Sequence, residues 1–487
     1  MKNSSKYQNL LLGTLRFLGF MLILLTMASC TSISTTTLDP PEVTQTVTSE
    51  PTRRPTKTPN VIATEPPQET LEVTQTPSLL PEDLNGIVIH FVHPWAGSAE
   101  ETLENIAMEF SLTNPYDIWV EVNPYGSENL LLEGIQDALD VGEVPELIAV
   151  HPVELSQLTS DISFVDVSEY FSDPNWGFAA DEQADIPEVF LGQFSSGDRL
   201  LALPVAPQAT VLFYNQSWAE ELGYSAQPME EAQFRAQSCA ATYANRDDEN
   251  EDNDGTGGWV VNFDPKVLLS WYHAFGGPNL INEPPFFNNE SGEAAFGFLK
   301  FAYDQGCIWI GRQSEPFYYF SSRYALMYAG TLDQIPIQTG WMNQVNNDDN
   351  WISMGFPGPI DETMFIDGPG LMITESTSET QIAAWLFAKY LLEPEVQAEL
   401  VRSMFTLPVR NSSRPLLNDF ESAYPQWAQA ADMIDSANFM PLSDQWGIAR
   451  WLLQDAIIRL FSADADEKSA ILEQLDTMIL EMSGMAP

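Results

Sequence analysis

Positive charge is scarce in this chain. Against 69 acidic side chains it carries 20 lysines and arginines, a formal net charge of −49. Nucleic-acid binding needs basic surface to neutralise phosphates, so that class is excluded. A ligand with several negative charges is disfavoured more weakly, and the acidity itself serves solubility. Cysteine is nearly absent, with Cys30, Cys239 and Cys307 alone among 487 residues, and no zinc-ligand spacing exists. Catalytic signatures are missing as well: there is no Gly-x-Ser-x-Gly elbow, no His-Glu-x-x-His and no Gly-Lys pair of a phosphate loop. His90 and His93 lie three apart on a strand and so point to opposite faces. No catalytic residue, cofactor or metal is therefore expected. A glycosidase would need two positioned carboxylates, and nothing among the acidic residues singles out a pair.

What is present begins with an export signal. Lys2, Lys6 and Arg16 precede an apolar run over residues 17–29. At about a dozen residues, that run is short of the roughly 20 needed to span a bilayer. It ends in Met27-Ala28-Ser29-Cys30, which resembles the lipobox of bacterial lipoproteins, where the cysteine is acylated. The alternative is an ordinary signal peptide with an incidental cysteine. Residues 31–83 are rich in Thr, Pro, Ser, Glu and Gln and show no apolar period, so they are expected to form a disordered tether. A coil of about 50 residues spans on the order of 40 Å. With Cys30 lipidated, Cys239 and Cys307 remain as an even pair in an oxidising compartment. They either form a disulfide or stay as two buried thiols.

The remaining chain is long and aromatic, with 27 Phe, 15 Tyr and 13 Trp, enough for a large core. Residues 86–150 alternate strand and helix. Strands at 87–92, 118–122 and 147–150 flank a helix opened by Ser98 and another opened by Ser127 and ended by Gly142. Such spacing predicts a parallel sheet and an α/β class. Further helices are predicted over 216–244, from Ser378 and over 446–482. In the acidic loop, Asn250-x-Asp252-x-Asp254-Gly255 imitates the start of a calcium loop. Val261 occupies the place of the required glutamate, so a solvated loop is the default reading.

Several segments in order resemble family 1 extracellular solute-binding proteins of ABC importers, the group of maltodextrin- and glycerol-3-phosphate-binding proteins. They are IHFVHPWAG, VPELIAVHP, LLALPVAPQATVLFYNQSWAEELG, RYALMYAGT, GPGLMITESTSETQIAAWLFAKYLLEPEVQAEL and LPVRNSS, spread over 86–415. The resemblance implies a two-lobed periplasmic-binding-protein-like fold with a ligand cleft between the lobes and several crossing strands. Crossings are expected near 205–212, 327–330 and 368–373. The lobes are expected as 84–207 and 329–371 for the first, and 208–328 and 372–487 for the second. It implies a monomeric lipoprotein outside the cytoplasm that delivers a sugar to ABC permease subunits. The alternative is a surface-anchored carbohydrate-active enzyme or an adhesion or sensor module.

Sugar sites need aromatic faces ringed by polar groups. The candidates are Trp95 and His151 at strand ends, where open α/β sheets place ligand, and Gln208 on the first crossing. From the second lobe come Trp271 or its neighbour Tyr272, with Gly276 and Gly277. Arg323, Gly330, Thr331 and Trp341 flank the second crossing, and Asp367 and Gly368 border the third. Arg323 is equally read as a structural ion pair; Arg410 and Trp446 are weaker candidates.

Overall fold

Runs of alternating apolar residues build two separate sheets. The computed structural model describes residues 81–158, 162–278, 286–312, 315–359, 362–439 and 445–482. The export signal, Cys30 and nearly all of the tether lie outside the described residues. Strands β1 (Val88–His93), β2 (Trp119–Pro124) and β3 (Leu147–Val150) pair in parallel, as their short helical connections require. The first helix, Ser98–Thr113, is capped at Gly97 rather than Ser98, and Glu100 Oε2 accepts the Gly97 N–H at 3.3 Å. Ser127 Oγ accepts from Leu130 N at 3.3 Å to open Glu128–Val141, and Gly142 closes it in the left-handed conformation.

After a two-residue hairpin, β4 (Ser195–Ser196) and β5 (Arg199–Leu200), come β6 (Leu203–Pro204) and β7 (Gln208–Asn215). The others are β8 (Gly257–Val260), β9 (Ile308–Trp309), β10 (Ala325–Thr331), β11 (Trp351–Met354), β12 (Met364–Asp367), β13 (Gly370–Ile373) and β14 (Ala437–Phe439). The first sheet has the order β2-β1-β3-β13-β6; the second runs β14-β12-β7-β10-β8-β9. Strand β7 is long enough for β12 to pair with its residues 208–210 and β11 with 212–215 along one edge. Its side chains alternate between two cores, Leu212 and Tyr214 on one face and Ala209, Val211 and Phe213 on the other.

The chain crosses between the sheets at 205–207, at 368–369 and at 405–410. The middle crossing is tight: a Cβ on Gly368 would meet Ala206 O at 2.7 Å and Pro207 Cα at 2.8 Å. Leu407 N donates to Pro207 O at 2.7 Å, which ties the outer crossings together.

Two expectations are corrected here. The crossing expected at 327–330 does not exist, because β10 lies inside the second sheet between β7 and β8. Gly330 is not a hinge glycine; a Cβ there would strike Gln334 and the Phe213 ring. Residues 329–367, expected in the first lobe, accordingly belong to the second. The helices Ser378–Leu391 and Pro394–Met404, expected in the second lobe, pack on the first core, because β13 pairs with β3 and delivers the chain there. Phe387 meets Phe91 at 5.6 Å between ring centroids.

Cys239, on the helix Glu231–Asp247, and Cys307, just before β9, form a disulfide with their Cα atoms 4.2 Å apart. In the acidic loop Asp248 is taken up by the loop itself, accepting from the backbone N–H of Asn250 and from Asn253 Nδ2.

Candidate functional site

The strand directions converge on the crossings. In the first sheet the carboxyl ends of β1 and β3 lie there, beside the start of β13 and the end of β6. In the second sheet the start of β7 and the ends of β12, β10 and β8 lie there. Both sheets thus present the strand ends where ligands bind in open α/β folds.

On the first lobe, β1 ends in His93, which is buried with neither ring nitrogen hydrogen-bonded. Burial pushes its pKa down to about 4, so the ring is neutral. Trp95 follows, half-buried, with its ring 5.4 Å from that of His93. His151 directly follows β3, and the helix Glu128–Val141 starts beside it. Glu128 accepts the His151 N–H at 3.1 Å, and its other oxygen lies 3.3 Å from Nδ1. Burial opposes protonation of His151, but Asp367 and Glu128 together raise its pKa.

On the second lobe, the helix Pro265–Ala274 starts at the carboxyl end of β8, capped by Asp264, whose side chain accepts from Lys266 N. Lys266 Nζ lies 3.3 Å from Asp367 Oδ2. Burial raises the Asp367 pKa, and His151 and Lys266 outweigh it to hold the carboxyl below its ordinary value. Asp367 therefore sits between a first-lobe histidine and a second-lobe lysine. Gln208 pairs with Asp367 across β7 and β12; its Nε2 donates to Met404 O at 3.2 Å, and its Oε1 is buried without a partner. Thr331 ends β10 on the same side. One more pair joins the lobes: Arg450 Nη2, from the helix Trp446–Ser462, lies 3.1 Å from Glu154 Oε1 on the helix Pro152–Leu158.

The structure therefore brings together Trp95, His151, Gln208, Thr331, Asp367 and Gly368. The other candidates lie elsewhere. Trp271 is fully buried, surrounded by Phe234, Trp259, Phe298 and Phe356, and Tyr272 is buried against Phe287. Both sit in the core because they face the sheet from a helix that covers it. Gly276 and Gly277 lie at the opposite end of that helix, where a Cβ on Gly277 would strike the Tyr272 ring. Arg323 is held by Glu221 at 2.7 Å and Asp349 at 2.6 Å, which is the structural reading. Trp341 packs near Tyr318, Trp446 is core, and Arg410 pairs with Asp185 at 2.6 Å.

Sequence reasoning missed His93, Glu128, Glu154, Lys266 and Arg450. A signal for Lys266 existed: Asp264-Pro265, two residues after the run GGWVV, is a helix start near a strand's carboxyl end. The site offers charged donors and acceptors beside one half-buried aromatic ring, an inventory suited to hydroxyl groups through charge-assisted hydrogen bonds.

Comparison with known proteins agrees with this fold. A family model described as bacterial extracellular solute-binding protein matches residues 111–433. Comparison with curated proteins returns no match. Among solved structures, the cyclic α-maltosyl-1,6-maltose-binding protein from Arthrobacter globiformis aligns at a TM-score of 0.69 and 15% identity, covering 82% of this chain and 100% of that one. The sugar-binding protein MalE from Xanthomonas citri also aligns at 0.69, with 18% identity over 82% and 98% of the two chains. UgpB from Mycobacterium tuberculosis, solved with glycerophosphocholine, aligns at 0.63 with 15% identity, covering 82% and 99%.

Proposed function

The chain belongs to the bacterial extracellular solute-binding proteins, and from that premise we propose that it captures a sugar or oligosaccharide between its lobes and delivers it to an ABC permease. The observation that carries this reading is the convergence of Trp95, His151, Gln208, Asp367 and Lys266 at the crossings. Two of the structural neighbours are named for maltose-type sugars, which fits a site of one aromatic face and several charged hydrogen-bonding groups. Trp95 supplies the stacking surface; Gln208, Asp367 and Lys266 meet hydroxyls; His151 and Asp367 draw the lobes together. The three crossings absorb the backbone rotation of closure. A lipid on Cys30 and the tether over 31–83 hold the receptor at the membrane and raise its effective concentration at the permease.

The test is a thermal-shift screen of the full chain against maltose, maltotriose, cyclic maltosyl-maltose, polyols and glycerophosphodiesters, followed by small-angle scattering. A ligand at 100 times its Kd stabilises by about 2.7 kcal/mol. Trp95→Ala should erase the shift for the active ligand while leaving the unliganded melting temperature nearly unchanged. If no compound shifts the melt or compacts the protein, the reading fails. Labelled palmitate incorporated in a bacterial host and lost with Cys30→Ser checks the anchor.

A further inference from the structure

One helix belongs to both lobes. Pro152–Leu158 leaves the carboxyl end of β3 directly after His151. Glu154 N donates to His151 O at 3.1 Å, so the first turn of the helix carries that cleft residue. Leu158, its last residue, is buried in the first lobe's core, whereas Val153 in the first turn packs against the second lobe's core.

Beside Val153, Glu154 Oε1 accepts from Arg450 Nη2 at 3.1 Å, and the two side chains are 16% and 22% exposed. A pair so far withdrawn from water is screened by salt much less than a surface pair, whose net contribution is close to nil. Arg450 is itself held in place. Its guanidinium lies 5.0 Å over the Trp451 ring, and the helix Trp446–Ser462 that carries it is anchored in the second core by Trp446, Ala449 and Leu453.

These contacts run from protein to protein and need no ligand atom. They lie on the cleft side of the crossings, because His151 at the head of the helix faces Asp367 of the second lobe. A contact on that side resists opening, and its loss lets the lobes separate about the crossings. We infer that the helix Pro152–Leu158 is a ligand-independent clasp, in which Val153 and the Glu154–Arg450 pair hold the lobes together and position His151 against the second lobe. The consequence is regulatory. A receptor already biased toward closure needs less of the ligand's binding energy to close, so the clasp tunes affinity. The inference rests on reading the cleft as a closing site, and it concerns how readily that site closes rather than what it takes.

The test is pulsed dipolar electron spin resonance on the full chain without ligand. Spin labels go on Leu112→Cys and Phe301→Cys, exposed positions of the first and second lobe, in a Cys30→Ser background. The parent chain should populate mainly the shorter interlobe distance. Glu154→Gln should raise the ratio of long to short distances about tenfold, the scale for losing one charge-assisted hydrogen bond. Arg450→Gln should match it, and the double variant should go no further than either alone. Arg459→Gln, an exposed position on the same helix, should leave the ratio unchanged. A pair that merely stabilises the fold would lower the melting temperature of both single variants without moving the distances. That result, additive shifts in the double variant, or an equal shift with Arg459→Gln would each overturn the clasp. The measurement contains no sugar, so a failed ligand screen leaves its result standing, and unmoved distances leave the screen's result standing.

Discussion

The two lobes are assembled differently. The first sheet takes β1, β2 and β3 from one stretch, 88–150, before adding β13 and β6, and its end at the crossings holds a buried neutral histidine, His93, beside the His151–Glu128 contact. The second sheet gathers neighbours from 208–215, 325–331, 364–367 and 437–439, and its members are pinned by a disulfide and ion pairs. Local pairing needs little help, since closing a short loop costs little entropy. A sheet assembled from distant strands carries larger closure costs and uses cross-links to offset them. The same contrast divides the tryptophans: Trp95 is half-buried just beyond the end of β1, beside His93, and Trp271 lies in the second lobe's core.

That contrast breaks most visibly at Trp271. Removing a fully buried indole leaves a large void, so Trp271→Ala should destabilise by about 3–5 kcal/mol in urea denaturation. Were Trp271 a ligand platform instead, stability would hold and affinity would fall. Replacing both Cys239 and Cys307 by serine comes next. The bond spans 68 residues, for which chain entropy gives about 4 kcal/mol. Hydrogen exchange should show the loss confined to the second sheet, with amides of β1 and β3 unaffected; equal loosening of both lobes would erase the distinction.

This asymmetry also explains what sequence reading reached. The three parallel strands, the Ser127 cap and the Gly142 stop are local signals, and the structure has them within a residue or two. Gly330 misled because a glycine on a strand marks either a hinge or a close approach, and only the neighbouring Phe213 distinguishes them. That Trp95, His151, Gln208 and Asp367 lie at or beside strand ends was readable from the local pattern. Lys266, Glu154 and Arg450 were not, because their partners lie 101, 296 and 296 residues away in the chain, at Asp367, Arg450 and Glu154. Trp271 was misplaced because an aromatic near a loop carries no sign of which helix face meets the sheet.

Acid should sharpen the comparison on the first lobe. His93 titrates at about 4 when folded against 6.5 unfolded. Between those values the unfolded chain binds more protons, so stability falls as pH drops from 6.5 toward 4. The loss approaches about 3 kcal/mol. His273 contributes with the same sign on the second lobe. His151 runs the other way: with its pKa raised, its contribution is complete below pH 6.5 and is lost as pH rises through the folded value. His93→Leu should remove about half of the acid sensitivity measured by denaturation between pH 6.5 and 4. An unchanged slope would mean that His93 is solvated.

The smallest effect concerns the place where the lobes meet. Gln397 is fully buried on the helix Pro394–Met404. Its Nε2 donates to Val205 O at 3.1 Å and to Leu391 O at 2.8 Å, and its Oε1 accepts from Val409 N at 2.9 Å. One amide thus ties the crossing at 205–207 to the crossing at 405–410. Gln397→Leu conserves volume but leaves a buried N–H and two carbonyls short of a partner, at about 2 kcal/mol. The crossings are shared by both lobes, so this loss should appear in the protection of both sheets, unlike the disulfide's. Gln397→Glu separates the roles: it keeps the acceptor for Val409 N and loses the donation to Val205. If the tie sets the closure angle, scattering profiles of both variants with ligand should differ from wild type, Gln397→Leu by more. Identical liganded profiles would leave Gln397 as a packing residue and place the hinge's control in Gly368, where the crossing backbones touch.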